Sequence, residues 1–446
     1  MSESDARDGG GEAVTTEKRS GPVPLRRNRG FQLLWTGSAF STLGLETADM
    51  AFPLLVLAVT RSPAAAGIAG AVQMTTALVL GLPAGELADR FDRRALLLVV
   101  ESLRAVAIGS IVLAQVTHHL VLVHLLAVAL VMGAMRPLSA TARMLLLRSV
   151  VPPEQLTAAL TREEVRISGA SLAGPPLGGM LFALGRVVPF LVTTLTFLVS
   201  ISCVSLMRPQ AGADKTFKAD KADEADKADK ADQMHPDASS AVRRMLSGTV
   251  VMWRNPLLRR TTLFTAVMNA ASAPVVLIVV VQLQHQGISS GLIGVATAGL
   301  ALGGLAGAAL VTRLHRLSPA TLMLGQAGSV AVLLCLLGLS LGPWWAAAVL
   351  FLLMLGVPAM RVLVDIVMFR QVPDEQRGRV VAAVMTLWGL GAAAGTLLAG
   401  VLLDFMSPLA ILIAIAAALG IVFCLGLASR AFRAMAWPTE VAASDH

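Results

Sequence analysis

Twelve apolar runs, each about the length of a membrane span, dominate this chain of 446 residues. They lie near residues 31–59, 65–88, 95–116, 120–142, 162–184, 187–207, 259–283, 289–312, 319–341, 343–367, 379–403 and 407–428. Crossing the hydrocarbon of a bilayer takes roughly 20 apolar residues in a helix. Leu, Ala, Val and Gly fill the runs without period-two alternation, which points to helices rather than barrel strands. With 55% hydrophobic and 14% charged residues and a mean hydropathy of +0.72, the chain is too apolar for a soluble globule. The expected fold class is an all-α polytopic membrane protein with twelve transmembrane helices.

A net charge of +8 would suit a nucleic-acid binder, but its distribution excludes one. Arginines cluster at alternate ends of the spans, among them Arg26, Arg27, Arg29, Arg90, Arg148 and Arg433, while the opposite loops carry only Arg61 and Arg186. That is the positive-inside bias, and it puts both termini in the cytoplasm of a cell with an inner, multi-pass location. Cys203, Cys335 and Cys424 all fall within spans and have neither disulfide nor metal spacing. The first 25 residues are polar and Gly-rich, with no signal peptide visible, so residues 1–27 read as a disordered cytoplasmic tail. Trp388 falls inside a span, where it either packs between helices or lines a cavity.

Residues 208–242 break the apolar pattern with Lys-Ala-Asp triplets. They form a solvated, near-neutral spacer, helical or disordered, within a linker over 208–256. The linker separates an N-terminal bundle of six spans (28–207) from a C-terminal bundle of six (257–430), followed by a tail (431–446). The halves repeat one another at an offset of about 221 residues. Val151-Pro152-Pro153-Glu154-Gln155 matches Val372-Pro373-Asp374-Glu375-Gln376, Pro137 matches Pro358, Gly174 matches Gly395 and Gly179 matches Gly400. Duplicated halves of this kind hold a substrate site between them at mid-membrane.

Between the second and third spans stands Gly85-Glu86-Leu87-Ala88-Asp89-Arg90-Phe91-Asp92-Arg93-Arg94. This resembles the G-x-L-a-D-R-x-G-R-R/K loop of the major facilitator superfamily, with Asp92 in place of the second glycine. The resemblance implies two pseudo-symmetric six-helix bundles around one cavity. It also implies that Asp89, with Gly85, Arg90, Arg93 and Arg94, latches the halves through the start of span 11 and Arg143 at the end of span 4. The bare alternative is a topology signal of basic residues. In span 5, Gly174-Pro175-Pro176-Leu177-Gly178-Gly179 resembles the antiporter stretch of the same superfamily, which favours export. An ordinary small-residue helix contact is the other reading.

Charged side chains inside spans are costly and usually face a cavity or each other. Glu46 and Asp49 share one face of span 1, Arg136 lies in span 4, and Arg361 and Asp365 lie four apart in span 10, where they can pair. Either Glu46 or Asp49 carries a coupled proton, tuned by Arg136, or both pair permanently with Arg136. Glu101 and Arg104 form a local structural pair in span 3. Asn269 and Gln73 are polar positions on apolar helices, candidates for the cavity lining or for helix–helix hydrogen bonds.

The chain carries neither a phosphate-binding G-x-x-x-x-G-K-S/T nor an H-E-x-x-H metal motif. No cofactor, metal or enzymatic activity is expected, so the energy comes from an ion gradient. Asn28-Arg29-Gly30-Phe31 and Ala51-x-Pro53-Leu54-Leu55 resemble the superfamily's antibiotic- and siderophore-exporting branch. That resemblance implies a monomeric, proton-coupled exporter of amphipathic small molecules such as drugs. An exporter of siderophores or other anions, with Arg136 and Arg361 as contacts, is the first alternative. A transport-inactive sensor or assembly partner is the second.

Overall fold

The computed structural model describes residues 24–207, 249–250, 252–314, 317–372 and 374–430. Fourteen α-helices build the twelve spans. In the N-terminal half these are α1 (Arg29–Thr60), α2 (Pro63–Arg90), α3 (Arg93–Val116), α4 (Leu122–Val150), α5 (Leu156–Leu184) and α6 (Val188–Ser205). In the C-terminal half they are α7 (Pro256–Ser272), α8 (Val275–His285), α9 (Ser290–Leu314) and α10 (Pro319–Leu337), then α11 (Pro343–Met354), α12 (Val357–Gln371), α13 (Asp374–Leu403) and α14 (Pro408–Ala428). Backbone groups in lipid have no water to bond, so helices satisfying their own ladders are the expected form.

Two spans expected as continuous are broken. Span 7 divides at Ala273-Pro274 into α7 and α8, and span 10 divides at Leu355-Gly356 into α11 and α12. Proline cannot donate to the ladder, and glycine weakens it. Other spans run longer than their apolar runs: α4 continues to Val150 and α13 begins at Asp374. These polar extensions carry helix beyond the apolar core. Asn28, Ser62, Asp92, Asn255, Ser318 and Ser407 cap helices with their side chains, and four of these are followed directly by proline at the first helical position.

The tail boundary also differs from expectation. Residues 24–27 form a turn, in which Leu25 is buried and its carbonyl accepts from Gln32 Nε2 at 2.9 Å. Met252, near the end of the linker, is buried too. The Lys-Ala-Asp segment and the C-terminal tail lie outside the described residues.

Within the N-terminal half, α1 packs on α5 and α6, and α4 packs on α2 and α3. The two halves meet along α2–α13 and α5–α9. The internal repeat becomes visible there. Gly179 of α5 lies against Ser290 and Gly294 of α9, and its counterpart Gly400 of α13 lies against Gly67 of α2. Each glycine sits where two backbones touch: a methyl group on Gly400 would fall 2.6 Å from the Gly67 Cα. Large apolar side chains such as Val106, Val123, Leu195 and Ile421 are exposed on outward faces, as a lipid-facing surface requires.

Candidate transport site and gates

Both seams between the halves run from the arginine-poor face to mid-span. On α2–α13 they include Gly67 with Gly400, Gly70 with Thr396, and Leu78 with Gly389. On α5–α9, an added methyl at Gly294 would fall 3.2 Å from Gly179 Cα, and Thr297 of α9 donates to Met50 Sδ of α1 at 3.5 Å. Closer to the arginine-rich face, Gly85, Gly304 and Gly378 have nothing within 4 Å of such a methyl. The close glycine contacts between the halves thus gather toward the arginine-poor face.

Four helices bring polar side chains to mid-span, charged ones from two of them. Glu46 and Asp49 project from α1, Gln73 from α2, Arg136 from α4 and Ser171 from α5. Arg136 Nη2 donates to Asp49 Oδ2, and Gln73 Nε2 donates to Asp49 Oδ1 at 3.2 Å. Ser171 Oγ donates to Glu46 Oε1 at 3.1 Å. The Arg136 side chain stays 46% exposed despite its depth, which places it on the cavity wall. The structure thus brings Gln73, read separately in the sequence, onto the Glu46, Asp49 and Arg136 group that the sequence had set together. The glycines of α5 make this possible. A methyl on Gly174 would strike Glu46, and one on Gly178 would strike Thr47 and Met50.

Toward the arginine-rich face, a second network lies largely buried. Glu101 of α3 is fully buried, as its partner Arg104 nearly is. Arg143 Nη2 donates to Glu101 Oε1 at 2.5 Å and Ser41 Oγ donates to Oε2 at 2.8 Å, while Arg104 lies 3.5 Å from Oε1. Arg104 also donates to Ser139 Oγ and the Met135 carbonyl, both at 3.1 Å. Next to it, Arg166 of α5 pairs with Glu163 and donates to the Ser38 carbonyl and Thr42 Oγ1. A cavity of about 290 Å³ opens among these groups, floored by Arg143 and Arg166 and walled by Phe31, Trp35 and Leu147.

The remaining sequence candidates are placed as follows. Asp89 and Arg90 end α2, and their side chains lie outside the described set. Arg143 points into its own bundle, onto Glu101. Arg94 donates to the Val204 and Ser205 carbonyls, at 3.0 and 2.5 Å, closing the C-terminus of α6. Asp92 accepts from Ala95 N at 2.7 Å and so caps α3, which gives the substituted glycine of the loop motif a physical role. Arg361 and Asp365 do not form the expected ion pair: among the described residues, no contact within 4.0 Å joins them. Asn269 donates to Thr265 O of its own helix at 3.0 Å. Trp388 packs on the core with Nε1 buried and unpartnered.

Glu163 and Arg166 were missed, because they stand at the polar edge of a run, where charges are ordinarily solvated. Their separation of three within one helix was the available signal.

The Major Facilitator Superfamily model matches residues 34–396 and again 263–441. The chain belongs to the major facilitator superfamily. Two crystal structures of the nucleoside transporter NupG share the fold. The first, a point mutant, has a TM-score of 0.68 at 11% identity, covering 92% of this chain and 100% of that one. The second has a TM-score of 0.67 at 12% identity, covering 90% and 98%. No curated protein matches the sequence. The chain is thus a multi-pass membrane protein of secondary-transporter type, moving small molecules across a membrane, and not an enzyme.

Proposed function

We propose that this chain exports amphipathic small molecules, such as drugs or secondary metabolites, by proton antiport and alternating access. On this reading the arginine-rich face is cytoplasmic, the close glycine contacts shut the outer end, and the cavity stands open to the cytoplasm. Residues 28–207 and 257–430 are the two moving bundles, joined by the 208–256 linker. Asp89, with Arg90 and Arg93, latches the cytoplasmic ends when they meet.

The carrying observation is the Glu46–Asp49–Arg136 cluster at mid-span, whose arginine lines a cavity. Asp49 is neutralised by a guanidinium, whereas Glu46 is held by the neutral hydroxyl of Ser171. Glu46 can therefore exchange a proton without breaking an ion pair, which makes it the coupling carboxylate. Mostly apolar walls suit amphipathic cargo. The NupG likeness, at 11–12% identity, carries the fold and not the substrate.

A second reading, export of a siderophore or other anion, draws on Arg361, which is exposed and has no carboxylate within 4.0 Å among the described residues. A test distinguishes the two. An efflux-deficient bacterial host expressing the chain is challenged with antibiotics, dyes and siderophores, with and without a protonophore. Protonophore-sensitive loss of a macrolide or dye supports drug–proton antiport. Export confined to acids moves Arg136 and Arg361 to the centre of the site. Absence of any transport, here and in vesicles with an imposed proton gradient, leaves the sensor or assembly-partner reading.

A further inference from the structure

Asp404 stands one residue beyond α13, at the arginine-poor end of the α2–α13 seam. A carboxylate there is badly placed for its own helix, whose C-terminus carries partial negative charge. Its partners lie in the other half of the molecule, at the start of α2. Ser62 Oγ donates to Asp404 Oδ2 at 2.9 Å, and Ala64 N donates to Oδ1 at 3.2 Å. Ser62 is also the N-cap of α2, accepting from Ala65 N at 3.3 Å. Pro63, between them, has no N–H to offer. The carboxylate thus meets both the free amide and the positive pole of a helix in the opposite bundle.

Below this point the seam begins as backbone and small side chains, with Met74 and Leu78 further in. Gly67 faces Gly400 at 2.6–2.7 Å for an added methyl, and Thr396 donates to Met74 Sδ at 3.8 Å. Glycine contacts of this kind set distance but carry little directional bonding. The Asp404 contacts add a charged, directional bond to this seam.

We propose that Asp404 is the latch of the outer gate: a positioning residue for transport that holds the α2 and α13 ends together while the cavity faces the cytoplasm, and releases them when it faces out. The assignment rests on the alternating-access reading and goes beyond it. The antiparallel pair then carries a carboxylate at each end, Asp89 in the last turn of α2 and Asp404 just past α13. Releasing one end as the other engages gives the two-state exchange its reciprocity.

The experiment measures distances across the outer gate by pulsed spin-label spectroscopy. Labels are placed at Thr117→Cys and Met406→Cys, in full-length protein whose Cys203, Cys335 and Cys424 are changed to Ser. Asp404→Ala and Ser62→Ala should each move the population toward the longer distance. The expected change in the closed-to-open ratio is roughly fivefold, the factor carried by about 1 kcal/mol. The double variant should add little beyond either single one, since both remove the same contact. Gly400→Trp serves as a wedge that forces the seam apart. If the wedge lengthens the distance while Asp404→Ala and Ser62→Ala leave it unchanged, the latch is wrong and alternation stands. If even the wedge leaves the distance unchanged, the seam does not open, and both readings fall.

Discussion

Replacing Glu101 with Gln should destabilise the N-terminal half far more than any surface substitution. Glu101 is fully buried and, among the described residues, is the carboxylate that meets both Arg104, at 3.5 Å, and Arg143, at 2.5 Å. Its amide keeps the shape but leaves two guanidinium groups in the interior without their shared anion. Nε of both arginines already lacks a partner, so no spare acceptor stands nearby to compensate. Breaking a buried ion pair by removing one partner costs about 3–5 kcal/mol. Arg143→Gln added to Glu101→Gln restores the net charge of the trio to that of the natural protein. The double variant should then be more stable than the sum of the single effects by about 1–3 kcal/mol. Thermal and denaturant unfolding of the purified transporter in detergent, across the four members of this cycle, measures that coupling. Additive effects, or a Glu101→Gln variant within about 0.5 kcal/mol of the natural protein, the range of an ordinary surface change, would refute the reasoning.

Three further outcomes are expected. Gly179→Val should hold the outer ends of α5 and α9 apart, because an added methyl already falls 3.0–3.1 Å from Ser290 C and Gly294 Cα. Export rates in vesicles should drop more than tenfold while insertion, checked by yield and gel filtration, is retained. Asn28→Ala should cost about 1–2 kcal/mol in the same unfolding assay. Its side chain both caps α1 through Phe31 N at 3.1 Å and ties it to Val150 O of α4 at 2.9 Å. Arg136→Ala should impair export through the unneutralised Asp49 it leaves, and Asp49→Asn in the same background should restore part of the rate.

The spans could be read directly from the chain because lipid leaves the backbone few options, and twelve apolar runs became twelve crossings. The breaks at Pro274 and Gly356 could not. Pro53, Pro83, Pro137, Pro175 and Pro176 sit inside unbroken helices, so proline alone does not decide; the surrounding packing does. Mid-span charge was equally legible, since Asp49 and Arg136 are too costly in lipid to stand apart. The roles of Arg94 and Arg143 were not. Both belong to an arginine-rich end where most charges are solvated, and only the extra turns of α4 carry Arg143 to Glu101. Ser62 and Asp404, 342 residues apart, obey no spacing rule at all. Contacts between the halves are fixed by how two bundles dock, which a local pattern does not record.

The central claim is that Glu46 carries the proton that drives export. The direct measurement uses vesicles holding the purified transporter and a pH-sensitive dye, with ethidium or erythromycin, whichever cells extrude, added to start exchange. Proton movement coupled to the compound is expected in the natural protein and absent in Glu46→Gln, which should still exchange compound for compound. Full proton-coupled transport by Glu46→Gln would contradict the account.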